Sequence, residues 1–294
     1  MSAVSTMNGK VCLVTGANQG IGKETAIGLA KLGATVVMTA RDQAKGAAAL
    51  AEIKQRSGND TVTLMPVDFG SFDSIRRFAA DFQSTHPQLH VLVNNAGAYN
   101  AARTVTKDGF ETTFGVNHLG YFLTTKLLLD TIKASAPSRI VSVSSAAHSR
   151  AKINFDDLQG EQGYGGFGAY GQSKLANVLF TYELARRLEG TGVTANCLHP
   201  GVVRTGFATN NSGIIGGLVV VFQTIGKPFL LTPEKGALTS LYLASSPEVE
   251  GVTGKYFAKS READSNAISH DKDVARRLWD MSEQMVATPA AATA

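Results

Sequence analysis

One glycine-rich turn sets the expected fold of this chain. Val11–Val14 is a continuous apolar run, typical of a strand buried on both faces, and it leads into Thr15–Gly22. A helix predicted over 23–32 follows, Gly33 ends it, and 35–39 has the pattern of a second strand. This order predicts a βαβ unit that binds a dinucleotide, because glycines let backbone amides approach a pyrophosphate at the positive end of a helix.

The spacing of the glycines leaves a second interpretation open. Gly16, Gly20 and Gly22 follow the pattern Gly-x-x-x-Gly-x-Gly, whereas the usual dinucleotide fingerprint is Gly-x-Gly-x-x-Gly. A tight packing turn would also use glycines at these positions. Because the turn joins a strand to a helix, we favour the ligand-binding interpretation.

Strands and helices alternate along the rest of the chain. Further strands are predicted at 62–66, 89–93, 139–143, 193–198 and 255–257, and further helices at 42–56, 71–85, 110–134, 170–188, 233–244 and 271–286. This alternation predicts an α/β fold, a single Rossmann-type, doubly wound parallel sheet of about seven strands flanked by helices. We expect one domain over 1–294, with a folded core at 8–286 and a disordered end at 287–294.

Composition and charge exclude several classes of protein. The net charge is +4 and no Lys/Arg cluster is dense, so we predict no nucleic-acid partner. The longest apolar run, Ile214–Phe222, is too short to span a bilayer, and the opening residues lack the apolar segment of a secretion signal. Cys12 and Cys197 lie in apolar strands, as reduced buried thiols do. We therefore expect a cytoplasmic protein without a transmembrane segment.

Polar and glycine residues follow several predicted strands. Asp68, Asn94–Gly97, Ser145 and Pro200–Gly201 each come just after a strand, as the glycine-rich turn does. The carboxyl ends of parallel strands share one edge of a sheet, and ligands bind there in folds of this class. We therefore predict a single site at this edge.

Tyr170 and Lys174 are four residues apart on a predicted helix, so they lie on one face, one turn apart. A positive charge ~5 Å from a phenol stabilises the phenolate by about 3 kcal/mol at an effective dielectric constant of ~20. That corresponds to roughly two pKa units and brings Tyr170 toward the range of a general acid. A surface aromatic above a solvated lysine is the alternative for this pair alone.

With these motifs in order, the sequence resembles the short-chain dehydrogenase/reductase family, and within it the retinol-dehydrogenase-like branch. The family motifs are Thr15-Gly-x-x-x-Gly-x-Gly22, Asn94-Asn-Ala-Gly97, Asn117, Ser145, Tyr170-x-x-x-Lys174 and Pro200-Gly201. The branch is indicated by Ile153–Gln159, Ser173–Phe180, His199–Thr205 and Gly254–Phe257. The gap between Ser145 and Tyr170 holds an insertion with a glycine-rich run, Gly163–Gly168, which we expect to form a wall of the substrate pocket.

The resemblance implies a role for each motif residue. Tyr170 is the general acid/base, Lys174 lowers its pKa, Ser145 rather than Ser144 donates a hydrogen bond to the substrate oxygen, and Asn117 positions water in a proton relay. The implied cofactor-binding residues are Gly16, Asn18, Gln19, Gly20, Ile21, Gly22, Arg41, Asp68, Asn95, Ala96, Gly97, Tyr170, Lys174, Pro200, Gly201, Val203 and Thr205.

The end of the second strand indicates which nicotinamide cofactor is used. NAD-preferring relatives carry an Asp there for the ribose hydroxyls, whereas this chain has Ala40 and then Arg41. An arginine grips a 2′-phosphate, so we predict NADP(H). The residue before the second glycine is Gln19, where many NADP-preferring relatives have a basic residue. Lys23 or Lys45 is a candidate to compensate, although we favour solvated helix lysines for both.

Several smaller assignments complete the prediction. Asp68 binds the adenine amine or caps the next helix. His118, His148 and His199 lack metal-ligand spacing, so we assign them to packing and hydrogen bonding and predict no metal. A substrate lid is expected at 202–231, and its apolar run suits a hydrophobic substrate, a subunit interface or a membrane surface. The resemblance also makes a homodimer or homotetramer an expectation.

Three functions are carried forward. The leading one is an NADP(H)-dependent oxidoreductase that interconverts a hydrophobic ketone or aldehyde with its alcohol, with Tyr170 as general acid/base. A sugar-nucleotide epimerase or dehydratase shares Tyr-x-x-x-Lys but has a different glycine spacing and a larger C-terminal domain. A non-enzymatic NADP-binding sensor or scaffold is the third, although such proteins tend to lose the Tyr or the Lys and this chain keeps both.

Overall fold

The computed structural model describes residues 6–203 and 230–287, and its centre is one eight-stranded sheet in the order β3-β2-β1-β4-β5-β6-β7-β8. Neighbouring strands are parallel except for β7 and β8. The strands are β1 (Val11–Val14), β2 (Thr35–Ala40), β3 (Val62–Pro66), β4 (Val91–Asn94), β5 (Ser138–Val143), β6 (Val193–His199), β7 (Tyr256–Ala258) and β8 (Arg261–Glu262).

The predicted α/β fold and its parallel sheet are confirmed. The sequence missed only β8, because two exposed residues carry no periodic pattern. Strands alternate their apolar residues between two cores: Leu13 faces one, and its neighbours Cys12 and Val14 face the other. This pattern is what a sheet covered on both faces requires.

Within residues 6–203 and 230–287, seven longer helices cover the two faces of the sheet. Helices α1, α2 and α6 contribute to one core, and α3, α4, α5 and α7 to the other. They are α1 (Gly20–Lys31), α2 (Gln43–Ser57), α3 (Phe72–Thr85), α4 (Gly120–Ala134), α5 (Gly166–Arg187), α6 (Pro233–Ser245) and α7 (Lys272–Ala287). None of the helices in the described residues is long and apolar enough to cross a membrane.

Local chemistry explains several helix boundaries. Ser71 caps α3 through its side chain, which accepts from Ser74 N, as its position before the helix predicts. Helix α5 begins at Gly166, so Tyr170 lies inside the helix and does not open it. The helix predicted over 110–134 is interrupted by a π-helical turn, Gly115–Leu119, that carries Asn117.

The closing helix α7 is fastened across α5 by an aromatic cluster. The Trp279 ring stacks on Phe180, with ring centroids 5.7 Å apart and planes 14° apart, and meets Phe122 edge-on at 4.9 Å. The Arg187 guanidinium lies 4.3 Å from the centroid of the same indole. These contacts attach the last described helix to the helix that carries Tyr170 and Lys174.

Replacing Trp279 with alanine is therefore expected to lower the free energy of unfolding by about 2–4 kcal/mol, since it removes a large aromatic side chain from this cluster. Urea unfolding measures the change. Asp280→Ala, at the exposed neighbouring position, is the matched control and should cost less than about 0.5 kcal/mol. Equal losses from the two variants would contradict the anchoring role of Trp279.

The parallel strands end at one edge of the sheet, where their following loops meet. The strand order reverses between β1 and β4, so the loop after β1 and the loop after β4 diverge at a switch point, where such sheets bind ligands. The predicted lid run Ile214–Phe222, the predicted cofactor residue Thr205 and the tail 288–294 lie outside the described residues.

Candidate active site

The glycine-rich turn after β1 is shaped by its contacts with the loop after β4. A Cβ on Gly16 would lie 2.8 Å from Ala96 Cα, and one on Gly22 would overlap the Asn95 side chain. Gly16 and Gly20 also have positive φ angles, +64° and +58°. Tight packing therefore requires these glycines, as the second interpretation of the turn held.

The same turn also leaves a helix end suited to an anion. Helix α1 begins at Gly20, and Gln19 before it is extended, with φ −162°. Within the described range 6–203, the Gln19 side chain caps none of the helix amides. The first N–H groups of a helix lack partners inside the helix and carry partial positive charge. Asn18, Gln19, Gly20, Ile21 and Gly22 thus fit the pyrophosphate of a dinucleotide.

Thr15 joins the two loops at the switch point. Its Oγ1 accepts hydrogen bonds from Asn95 N at 2.8 Å and Ala96 N at 3.0 Å, and donates to Val93 O at 3.3 Å. The Asn95 side chain donates to Thr15 O at 2.8 Å and to Gly16 O at 3.2 Å. Thr15 was part of a predicted motif but had no predicted role; its position directly after a buried strand was the signal in the sequence.

Ser145 and Tyr170 meet at the carboxyl end of β5. The Ser145 hydroxyl hydrogen-bonds to the Tyr170 phenol, and Ser145 Oγ accepts from Ala147 N at 3.2 Å. Ser144, its neighbour, is buried and donates to Lys174 O at 2.8 Å. The two serines therefore have different roles: Ser145 acts on the phenol, and Ser144 holds α5 against β5.

Lys174 is buried directly behind Tyr170. Lys174 is only 3% exposed, and its Nζ donates a hydrogen bond to Val143 O at 3.1 Å. The ammonium lies 5.7 Å from the centroid of the Tyr170 ring and 5.6 Å from that of the Tyr121 ring. The expected i, i+4 pairing of phenol and lysine on one face of α5 is therefore present.

Burial changes the expected proton affinities of this pair. Burial raises the pKa of Tyr170 to about 12, although the Ser145 side chain acts to lower it. Burial also lowers the pKa of Lys174 to about 7. The four-residue spacing of Tyr170 and Lys174 predicted a lowered pKa for Tyr170. That prediction is wrong for the protein alone, because burial disfavours the phenolate more than the Ser145 side chain favours it.

Comparison with known proteins identifies the family of the chain. Residues 10–213 match the family model of the short chain dehydrogenases. The chain belongs to this family. Among curated proteins it is similar to retinol dehydrogenase 14 of Homo sapiens, with 48% identity over 95% of this chain and 87% of the relative. It is thus a retinol-dehydrogenase-like member of a family of oxidoreductases that transfer hydride with a nicotinamide cofactor.

Solved structures show the same relationship. A crystal structure of an uncharacterized protein from Mycobacterium paratuberculosis is 33% identical, with a TM-score of 0.78 over 99% of this chain and 98% of the other. A protein from Beutenbergia cavernae, named as an NAD(P)-dependent gluconate 5-dehydrogenase and with NADP bound at low occupancy, is 25% identical, with a TM-score of 0.69 over 86% of this chain and 96% of the other. The Rossmann-type fold of this chain is therefore shared with proteins that carry different names.

Asn117 has a structural position in this short-chain dehydrogenase. From the π-helical turn its Oδ1 accepts from Ala98 N at 2.7 Å, and its Nδ2 donates to Ala98 O and to Ser173 Oγ, both at 3.0 Å. It thereby joins the chain after Asn94–Gly97 to α5 beside Tyr170. These contacts are those of a positioning group, and the proton relay through Asn117 stays a prediction.

The residues expected near the adenosine end lie on neighbouring loops. Arg41 is exposed at the end of β2 and forms no ion pair with any residue the structure describes. Lys23 is bound to Glu52 at 2.7 Å, as a structural lysine would be. Lys45 lies 3.7 Å from Asp42, whose side chain caps α2.

Asp68 is oriented by local contacts. Its Oδ1 accepts from Gly70 N at 3.0 Å, and its Oδ2 lies 3.4 Å from Lys107 Nζ. The alternative role of Asp68 as a helix cap is wrong, because Ser71 caps α3. Local contacts therefore hold both carboxylate oxygens, and the adenine-binding role of Asp68 stays a prediction.

The remaining predicted cofactor residues lie at the same edge. Gly97 follows β4 and is exposed, and Pro200 follows β6. Gly201 has φ +83°, and its N–H donates to His199 Nδ1 at 3.1 Å. Val203 forms an isolated parallel bridge with Leu231, which brings the two ends of the expected lid together.

Two tyrosines of the site were not predicted from the sequence. Tyr99 meets Tyr170 edge-on, with ring centroids 6.0 Å apart. Tyr121 is fully buried beneath Lys174. Neither belongs to a spaced motif, so no pattern in one sequence distinguishes them from core aromatics.

The three histidines hold structure together. His118 Nε2 pairs with Ser282 Oγ at 2.8 Å, which ties the π-helical turn to α7. His148 Nε2 accepts from Asn266 N at 3.2 Å, and His199 accepts from the Gly201 backbone. In the part of the chain that is described, no three His, Cys, Asp or Glu side chains are grouped to hold a metal.

His118 should make stability depend on pH. Burial lowers the pKa of His118 from 6.5 to about 4, so its neutral form stabilises the fold above the unfolded-state pKa, and this contribution is lost as pH falls toward 4. Wild type should lose about 2 kcal/mol more than His118→Gln between pH 7 and pH 5, measured by urea unfolding. Parallel losses in the two proteins would show that His118 is not the titrating group.

Proposed function

We propose that this chain is an NADP(H)-dependent oxidoreductase that interconverts a hydrophobic ketone or aldehyde with its alcohol, with Tyr170 as general acid/base. The observation that supports it most is the buried Lys174, whose ammonium lies 5.7 Å from the centroid of the Tyr170 ring, with Ser145 acting on the same phenol to lower its pKa. This group stands at the same sheet edge as the glycine-rich turn.

In reduction, the Tyr170 hydroxyl donates its proton to the substrate oxygen. The Ser145 hydroxyl donates a second hydrogen bond to that oxygen and stabilises the charge that develops on it. The nicotinamide, when bound, supplies the hydride. Because burial disfavours the phenolate, Tyr170 is held protonated, which is the form that reduction needs.

The apolar character of the site supports a hydrophobic substrate. Tyr99 lies against Tyr170, and Val202, at the edge of the expected lid, is 61% exposed. Retinol, named for the similar human protein, belongs to this class of apolar alcohols. A homodimer or homotetramer and a cytoplasmic location stay predictions of the sequence.

Tyr170→Phe should separate an enzyme from an NADP sensor. Loss of the proton donor should lower kcat by about 10²–10⁴-fold, whereas NADPH binding, followed by its fluorescence, should stay within about twofold. Tyr182→Phe, farther along α5, is the control and removes a hydroxyl that bonds Ser265. Undiminished turnover in Tyr170→Phe would contradict the catalytic role; no turnover in wild type with tight NADPH binding would favour the sensor.

Arg41 should decide the choice of cofactor. Arg41→Ala is expected to raise KM for NADPH about tenfold or more and to leave KM for NADH nearly unchanged, because it removes a charged hydrogen-bond donor to the 2′-phosphate. Lys45→Ala, four residues on and equally exposed, is the matched control. A preference of the wild type for NADH, or equal effects of both variants, would refute the assignment.

The two directions of the reaction should respond differently to pH. With the pKa of Tyr170 at about 12, alcohol oxidation should rise about tenfold per pH unit through the neutral range, whereas reduction needs no deprotonation of this phenol. Profiles of kcat/KM in both directions measure this. An oxidation profile that levels off below pH 8 would show that bound cofactor lowers the pKa of Tyr170 substantially.

A further inference from the structure

Tyr121 is a buried titratable side chain that has no role in the proposed reaction. It lies in the first turn of α4, directly after the π-helical turn that carries Asn117, and it is fully buried. Its hydroxyl is also buried and has no hydrogen-bond partner among the described residues. A buried hydroxyl without a partner loses the hydrogen bonds that water would give it, so hydrogen bonding does not explain this residue.

The ring of Tyr121 contacts Lys174 instead. Lys174 Nζ lies over this ring, 5.6 Å from its centroid, and the Tyr170 ring lies 5.7 Å from the same nitrogen. A cation over an aromatic ring, within about 6 Å of the centroid, is attracted by the negative face of the ring, and the attraction is stronger where water is excluded. The ammonium is therefore within reach of two aromatic rings, one from α4 and one from α5.

The charge of Lys174 has no counter-ion in the described part of the chain. Its Nζ donates to Val143 O at 3.1 Å and forms no ion pair within residues 6–203 and 230–287. Burial lowers the pKa of Lys174 to about 7. A lysine in this state is readily neutralised near neutral pH, so each contact that favours the ammonium affects its charge.

The Tyr121 ring stays uncharged. Burial, and then the nearby Tyr170, raise the pKa of Tyr121 well above 10. The phenol is therefore neutral where Lys174 titrates, and the attraction comes from the face of the ring rather than from a phenolate. A phenylalanine ring at this position would supply the same attraction.

Other titratable side chains on the elements around α5 do not pair with Lys174 in the described residues. They include Glu111, His118, His148, Cys197 and His199. Burial lowers the pKa of all three histidines from 6.5 and raises that of the Cys197 thiol, so these four are neutral where Lys174 titrates. Glu111 accepts hydrogen bonds from two backbone amides and the Tyr164 hydroxyl, and the charged side chains of α4 are all exposed.

We propose that Tyr121 is a positioning residue whose ring holds Lys174 in its charged form beside Tyr170. The charged lysine stabilises the negative charge that develops on the phenol as Tyr170 gives up its proton, so the ring assists proton donation without touching the substrate. The effect on turnover rests on the proposed function, whereas the effect on the charge of Lys174 does not.

An NMR titration of the full-length protein without cofactor tests the contact with Lys174. Carbon-13 at the lysine ε-carbons reports the protonation of Lys174, and Lys174→Met assigns the signal by its loss. Tyr121→Leu, which removes the ring, should lower the midpoint by about one pH unit, whereas Tyr121→Phe, which keeps the ring, should stay within about 0.3 pH unit of wild type. An unchanged or higher midpoint in Tyr121→Leu would overturn the proposal, and so would an equal fall in Tyr121→Phe.

Phe122→Leu is the matched control for the loss of a buried aromatic ring from α4. Phe122 is also fully buried, and its ring packs on Trp279 and Phe180, with centroids 4.9 and 5.7 Å apart. This variant should lose stability and leave the midpoint of Lys174 unchanged. A fall equal to that in Tyr121→Leu would show a general effect of repacking and refute the specific contact.

Folding must be controlled because Tyr121 is fully buried, and circular dichroism of each variant reports on it. If Tyr121→Leu fails to fold, replacement of Tyr121 by 3,4,5-trifluorophenylalanine keeps the shape of the ring and removes the negative potential of its face. This replacement should also lower the midpoint of Lys174. An unchanged midpoint would overturn the proposal.

Turnover shows whether the contact matters for the proposed reaction. The kcat for carbonyl reduction with NADPH should fall about threefold to tenfold in Tyr121→Leu and stay within about twofold of wild type in Tyr121→Phe. Equal kcat in the three proteins would refute the positioning role. If wild type reduces no carbonyl, the proposed function fails, and the NMR titration still decides whether Tyr121 holds Lys174 in its charged form.

Discussion

The hydrogen bonds of Thr15 hold together the two loops on which the site depends. In a sheet that reverses its strand order between β1 and β4, the loops after these strands diverge and leave a crevice. One hydroxyl accepts from two amides of the β4 loop, and Asn95 returns two hydrogen bonds to the glycine-rich turn. The hydrogen bonds from the β4 loop fix the shape of the glycine-rich turn. The turn therefore keeps its shape although no side chain caps the first amides of α1.

Ser145, Tyr170 and Lys174 are brought together at the same edge at an energetic cost. Lys174 and the phenol of Tyr170 are desolvated together, and burial shifts the pKa of each toward its neutral form. Hydrogen bonds from Ser145 and to Val143 limit that cost. Rigid anchoring of α5 by Trp279 and of the π-helical turn by His118 keeps these partners in place.

Periodicity and spacing predicted most of this from the sequence. The strands, the Ser71 cap and the gathering of Asp68, Ser145 and the glycine-rich turn at one edge follow from apolar runs and from what parallel sheets require. Tyr121 and the π-helical turn did not follow, because neither has a pattern in a single sequence. The direction of the Tyr170 pKa shift was also missed, since a charge at known spacing says nothing about the burial that opposes it.

The proposed reaction at this edge is hydride transfer between NADP(H) and an apolar carbonyl. The most direct test follows the absorbance of reduced cofactor, NADPH against NADH, with a panel of aromatic ketones, aliphatic aldehydes, steroids and retinal. We expect turnover with NADPH on bulky apolar carbonyls and little with NADH. Turnover only with NADH, or only with small polar carbonyls, would contradict it.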